Sequence, residues 1–259
     1  MMVANGSTGR LYKSYFLFLF CLLSFPFVAG AQVKQTSSEE QLWFGYFNQT
    51  RLTKKWGVWA DVHLRTKEDF VNQLSQFIVR PGLTFYLNDD VKLTAAYAFV
   101  NHFPSDNHKN ISQPEHRLWQ QLQWHTKYPG VRLMQWLRLE ERFRRKIKND
   151  NELADGYNFN YRIRYNILAQ VPLSKKRFQP GTFSAVASNE VFVNFGKEIV
   201  YNYFDQNRFF AGVHYHVNKH DNLQLGYMNV FQQLSAGNKY RSLHTFRIFY
   251  FHNLSFLKK

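Results

Sequence analysis

The chain of 259 residues carries 33 Lys and Arg against 18 Asp and Glu, a formal net charge of +15, and 18% of it is aromatic. Its single cysteine, Cys21, rules out a disulfide framework and a thiolate metal site. Beyond residue 31 nothing approaches the roughly 18 consecutive apolar residues of a helical membrane span, so that class is excluded as well.

The first 31 residues read as a processing signal. Arg10 and Lys13 form a basic start, and Ser14 to Val28 is a nearly unbroken apolar run. Ala29-Gly30-Ala31 supplies the small-x-small cleavage pattern, so the mature chain is expected to begin at Gln32. The run of about 15 residues falls short of the roughly 20 that a retained anchor needs. The remaining 228 residues keep 31 basic and 18 acidic groups, a charge of +13, and suit one domain, 32–259. Such an excess ordinarily suggests nucleic acid or an anionic surface. Here many arginines stand at alternate strand positions behind an export signal, so no nucleic-acid partner is expected.

A polar lead, Val33 to Gln41, comes first. Alternation and turn signals then mark strands at 42–51, 56–66, 74–87, 91–102, 115–125, 131–143, 158–171, 182–195, 207–217, 222–232 and 243–254. Short turns rich in Lys, Asn, Asp, Gly and Pro (Thr53-Lys54-Lys55, Asn88-Asp89-Asp90, Lys127 to Gly130, Lys219-His220-Asp221, and the longer Pro172 to Gly181) alternate with segments at 67–73, 103–114, 144–157, 196–206 and 233–242. Short turns on one side and longer loops on the other mark an outer-membrane barrel. These candidates are eleven, and bacterial barrels usually have an even number. Twelve strands are therefore expected, with ten as the alternative. The polar lead or a division of 182–206 is the source of the missing strand. Segment 144–157, with Arg144 to Lys148 followed by Asn149-Asp150-Asn151, reads as an exposed, mobile loop.

The strand faces carry the strongest signal. In Trp56 to Arg65 one face reads Trp, Val, Ala, Val, Leu and the other Gly, Trp, Asp, His, Arg. Leu133–Arg142 and Phe159–Gln170 repeat it, with Arg138, Glu140 and Arg142, then Arg162 and Arg164, on the polar face. Apolar residues facing lipid and charges facing a wet interior suit a closed antiparallel transmembrane β-barrel, an all-β fold. A soluble sandwich arranges them the other way. A soluble periplasmic β-protein is a third reading and would need the aliphatic faces to point inward.

Several segments in order resemble a known family. They are Arg80-Pro81-Gly82-Leu83, Glu115 to Gln121, Arg138 to Phe143, Asn189 to Gly196, Phe204 to Arg208 and Gly226-Tyr227-Met228-Asn229. From about Trp43 to Gln233 the chain looks like domain-of-unknown-function family 2490, proteins assigned to the outer membrane of Gram-negative bacteria. The resemblance implies a barrel and a location, and it carries over no catalytic residues.

If the apolar faces meet lipid, then Arg80, Arg117, Arg138, Glu140, Arg142, Arg162, Arg164, Glu190 and Arg208 face the lumen, joined by Asp61 and Glu115. Neighbouring strands let Glu140 meet Arg162 or Arg164, and Glu190 reach the same arginines. Arginine suits this role because its planar guanidinium makes paired hydrogen bonds to a carboxylate and stays charged. A narrow barrel must be filled, and a salt-bridged plug fills it. The seven arginines outnumber the four acids, however, so a lumen that binds or passes small anionic solutes is the functional reading.

Other constellations carry less. His214-x-His216 places two imidazoles on one face without a firm third ligand, so no metal and no cofactor are expected. Arg144–Lys148 suits contact with lipopolysaccharide phosphates, or is a solvated charge run like Lys175-Lys176-Arg177. Trp43, Trp56, Trp124, Trp136 and Tyr250 read as girdle or wall. A lipid-modifying hydrolase is the alternative function, with Ser105 near His102 or Ser242 near His244 as nucleophile and base. The expectation is a non-enzymatic, porin-like outer-membrane barrel. Its partners would be membrane lipid, lipopolysaccharide, the barrel-assembly machinery during insertion, and possible small anions.

Overall fold

The computed structural model describes residues 33–105 and 108–257. The expected signal peptide, 1–31, lies outside the described residues. Among the described residues eleven strands follow one another without a helix: β1 (Gln35–Arg51), β2 (Trp56–Lys67), β3 (Gln73–Tyr86), β4 (Val91–His102), β5 (Gln113–Lys127), β6 (Arg132–Asn149), β7 (Glu152–Pro172), β8 (Thr182–Phe195), β9 (Phe204–His216), β10 (Asp221–Gln233) and β11 (Lys239–Ser255). Each pairs antiparallel with the next, and the sheet closes into a barrel.

Closure corrects the expected twelve or ten strands. A run of hairpins with an odd strand count returns to β1 with β11 pointing the same way, so the seam is parallel, from Gln35↔Lys239 to Arg51↔Ser255. That ladder satisfies both edges along 17 residues, and no twelfth strand is needed. The polar lead becomes the start of β1, and 182–206 stays one strand and a connection. Gln35 therefore lies at the end of the barrel that carries the longer connections, and Ser255 at the end that carries the short turns.

Segment 144–157 is also corrected. β6 and β7 continue through it as a ladder that reaches Asn149↔Glu152, with two register shifts. Only Asp150 and Asn151 turn, and the Asn149 Oδ1 accepts the Asn151 N–H at 2.9 Å. The Asn-Asp-Asn sequence suits so tight a reversal because these side chains bond their own backbone.

The alternation dictates the two faces of the wall. Phe44, Val62, Leu83, Leu93, Leu118, Leu137, Ile163, Val191 and Phe246 are exposed, whereas Asp61, Arg80, Glu115, Arg138, Glu140 and Arg162 are buried. Apolar side chains thus cover the outside and charged ones the inside, the reverse of a water-soluble fold. Within the barrel, apolar packing forms two clusters: Trp43, Phe210, Met228, Val230, Leu243 and Phe249 make one, and Trp59, Ala98 and Trp119 the other. Trp56 and Tyr250 are exposed. Trp43, by contrast, is buried in the interior and Trp136 lines its cavity, which corrects their expected place in a girdle. Both occupy inward positions of the alternation, which aromatic type alone does not reveal.

Gly212 and Gly226 stand opposite each other in the β9–β10 ladder. A Cβ on Gly226 would lie 2.4 Å from the Ala211 carbonyl oxygen and 2.9 Å from the Phe210 ring. The bare pair lets Phe210 lie against the wall, with Arg247 stacked on it at 3.5 Å. Gly226→Ala is expected to cost about 1–3 kcal/mol through overpacking against backbone that has no room to move. Urea unfolding of the refolded barrel checks this, and an unchanged midpoint would mean that the wall yields.

Candidate functional site

Three charge groups occupy the interior of β2 to β9. In the first, Arg80 Nε donates to Asp61 at 2.6 Å, His63 Nε2 lies 2.9 Å from the same carboxylate, and the Trp59 indole donates to it. In the second, Glu115 is fully buried and accepts from four sources: Arg117 Nε at 2.7 Å, Arg142 Nε at 2.6 Å, Arg144 Nη2 at 3.0 Å and His102 Nε2 at 2.7 Å. In the third, Glu140 accepts from Arg162 Nε at 2.8 Å and Arg164 Nη1 at 2.6 Å. The same two arginines reach on to Asp205 and Glu190, at 2.8 and 2.5 Å. Register brings these groups together, since Glu140↔Arg162 and Arg117↔Arg142 stand directly opposite across their ladders.

All nine residues singled out from the sequence lie on the inner face, but they do not behave alike. Arg80, Arg117, Arg142, Arg162 and Arg164 each hold a carboxylate at 2.8 Å or less. Arg138 is only 3.8 Å from Glu140, gives its hydrogen bonds to Gln121 and stacks on Trp119 at 3.9 Å. Arg208 has no carboxylate within 4.0 Å and makes no hydrogen bond among the described residues. Its guanidinium lies over Phe192 at 4.4 Å and Trp43 at 5.0 Å. Glu190, opposite Arg208 in register, turns to Arg164 instead.

Sequence reasoning passed over Arg65, Arg247, Lys92 and Asp205. Arg65 follows the alternation of β2 and was visible as a polar-face residue. On β11 the inner face reads Leu243, Thr245, Arg247, Phe249, Phe251, so mixed a set that no polarity rule marks it. Asp205 and Gln206 are both buried where the β8–β9 register shifts at Phe192/Val193, and strict alternation cannot place two neighbours on one side.

The interior encloses a cavity of about 1210 Å³. Its lining runs from Pro104, Ile199 and Leu234 at the long-connection end down to Gln49, Gln123 and Phe251. At its lower level Phe47 stacks on Phe251 at 4.8 Å, His214 on Phe251 at 6.0 Å, and Lys92 donates to Gln49. Gln170, Ser184 and Asn222 all meet His216, with contacts of 3.0–3.1 Å. The lining reaches the long connections and none of the short turns, so the cavity has the form of a cup that opens toward the long connections. At the short-turn end Lys127 donates to Asp90 at 2.5 Å, which holds the Asp90 carboxyl below its ordinary range.

The remaining constellations resolve simply. His102 serves Glu115 and Gln76, while His244 meets the Tyr227 hydroxyl and Ser242 takes an Asn229 hydrogen bond. Neither expected serine–histidine hydrogen bond occurs among the described residues. Ser105 Oγ instead meets His108 Nε2 at 3.0 Å within one turn that a backbone bridge also closes. His214 and His216 share the inner face, and no group of three metal-ligating residues occurs among the described residues. In the projecting hairpin Lys148 pairs with Glu152 at 3.0 Å, which leaves Lys146 as a solvated charge.

No solved structure matches the chain. A protein of Methylorubrum extorquens named "Uncharacterized protein MexAM1_META1p0181" is 28% identical over 166 residues, 61% of this chain and 64% of that protein. The chain thus aligns to somewhat under two thirds of that relative's length. A family model, "Protein of unknown function (DUF2490)", matches residues 40–241, more than three quarters of the chain. The inverted barrel with its arginine-rich interior accordingly belongs to the family DUF2490.

Proposed function

We propose that this protein is an outer-membrane β-barrel, exported behind a cleaved signal, that holds small anionic solutes in its arginine-lined interior and carries out no chemistry on them. The observation that carries the reading is the pairing of an apolar outer wall with a wet, cationic cup. Exposed Leu, Val, Ile and Phe around the barrel are costly in water and stable in lipid. The cup form favours holding over conduction, because its lining stops short of the short turns, where rings and hydrogen-bonded side chains gather. With the short turns on the periplasmic side, the mouth opens outward and its rim faces lipopolysaccharide.

Two measurements test this. Leu137 is exposed near the middle of β6. Leu137→Arg is expected to cost roughly 2–4 kcal/mol on folding into lipid vesicles, as arginine does near a bilayer midplane. A neutral outcome would mean that Leu137 does not face a bilayer core and would count against the membrane reading. In planar bilayers the refolded mature chain is expected to insert without conducting steps. Stable anion-selective steps would replace the cup with a path.

A further inference from the structure

The interior charges are not spread evenly. The carboxylates Asp61, Glu115, Glu140, Glu190 and Asp205 lie on β2, β5, β6, β8 and β9, and each is taken by arginine. Around β1, Trp43 stands in register with Arg65 on β2 and with Arg247 on β11. Arg65 stacks on the Trp43 ring at 3.6 Å, and Arg208 reaches the same ring from β9 at 5.0 Å. Arg247 covers Phe210 and Phe249 at 3.5 and 4.6 Å.

None of these three guanidiniums has a carboxylate within 4.0 Å among the described residues. Arg65 gives one hydrogen bond to Gln76 at 2.8 Å, and Arg247 one to Gln224 at 2.5 Å with a long contact to the Met228 sulfur. Arg208 gives none, and the Nε atoms of all three are buried without a partner. All three line the cup. Like charges gathered on an aromatic wall repel one another and lose hydration. The aromatic rings offset part of that cost through their faces. What would complete the set is a ligand with several negative charges and enough oxygens to take the idle N–H donors.

We propose that Arg65, Arg208 and Arg247, arranged around Trp43, form a binding site for a small oxyanion carrying at least two negative charges, of the phosphate-ester or polycarboxylate kind. The site rests on the reading of the interior as an anion-holding cup and gives that reading a place and a valence. A monoanion leaves most of the cradle uncompensated, so charge number is what this wall selects.

The test is calorimetric titration of the refolded full-length mature chain with inorganic phosphate, citrate and acetate in turn, alongside Arg208→Gln, Arg247→Gln and Trp43→Phe. Heat-modifiable migration on gels reports that each variant is folded. Arg208→Lys serves where Arg208→Gln fails to fold, since it keeps the charge and loses the planar fork. Phosphate or citrate is expected to bind at least tenfold tighter than acetate, and each arginine variant to lose at least tenfold. Whichever of the two binds tighter names the ligand kind. Trp43→Phe is expected to weaken binding less than either arginine variant, because a ring remains for Arg65 and Arg208. Undiminished binding in both arginine variants, with loss in Arg138→Gln, would overturn this cradle and leave the cup intact. Absence of binding by every anion would overturn the cup and the cradle together. Equal affinity for acetate would overturn the proposed selection for multiple charge.

Discussion

Glu115→Ala is expected to destabilise the barrel by roughly 3–5 kcal/mol, the range for uncovering a buried charge partner. Glu115 has no accessible surface and is the only carboxylate within 4.0 Å of Arg117, Arg142, Arg144 or His102 among the described residues. Its removal leaves Arg117 and Arg142, which face each other across the β5–β6 ladder, as bare like charges. Arg144 is more than a third exposed and has room to turn toward the rim, so the cost concentrates on the other two. Urea unfolding in lipid vesicles reads the change. Glu115→Gln keeps the shape without the charge and should fall between the wild type and alanine. A loss below about 1 kcal/mol would mean that water in the cup solvates these arginines, and that the buried-pair account does not apply to them.

Glu140→Ala is expected to cost less, about 1.5–3 kcal/mol, the scale of hydrogen bonds to charged groups. The difference is one of connectivity. Glu140 is as deeply buried as Glu115, but Arg162 keeps Asp205 at 2.8 Å and Arg164 keeps Glu190 at 2.5 Å once it has gone. The variant also adds one uncompensated charge to the cup wall. Phosphate affinity, measured by titration as for the cradle, is therefore expected to rise where stability falls. Equal or larger destabilisation than Glu115→Ala would show that Asp205 and Glu190 do not act as reserves. The double substitution Glu140→Ala with Asp205→Asn should then be additive, whereas reserve behaviour makes it cost more than the two single losses together.

Much of this molecule was legible before any coordinates. β4 and β8 run over the spans their alternation marks, 91–102 and 182–195, because period-two patterning is unambiguous where each residue has a clear polarity. The polar face of β6, with Arg138, Glu140 and Arg142, is equally plain. Segment 144–157 was harder. Four basic residues and one Ile in a row of five look like a solvated loop, yet a strand in a projecting hairpin has solvent on both faces and needs no apolar side. Composition therefore misleads there, while the Asn-Asp-Asn reversal was the usable signal.

The candidate site was legible only in part. Strand position decides that a side chain faces inward, and nine residues could be named on that ground. Which arginine finds a carboxylate depends on register, on the bulge that admits Asp205, and on Glu190 turning to Arg164 and away from Arg208. Apart from Arg117 with Glu115, those ion pairs join residues far apart in sequence. Arg247 is the sharpest example, since its strand mixes leucine, threonine and phenylalanine on the same face. The indole that joins Arg65 to Arg208 comes from a third strand, β1.

By itself the sequence determined the strand rhythm, the inverted polarity of the wall and the excess of arginine over acid, because these follow from residue type and alternation along one strand. Only the tertiary structure decided the odd closure with its parallel seam, the cup form of the interior, and the division of arginines into a paired and an unpaired set. Those are set by how β1 meets β11 and by which side chains fill the interior, contacts that link residues up to the whole length of the barrel apart.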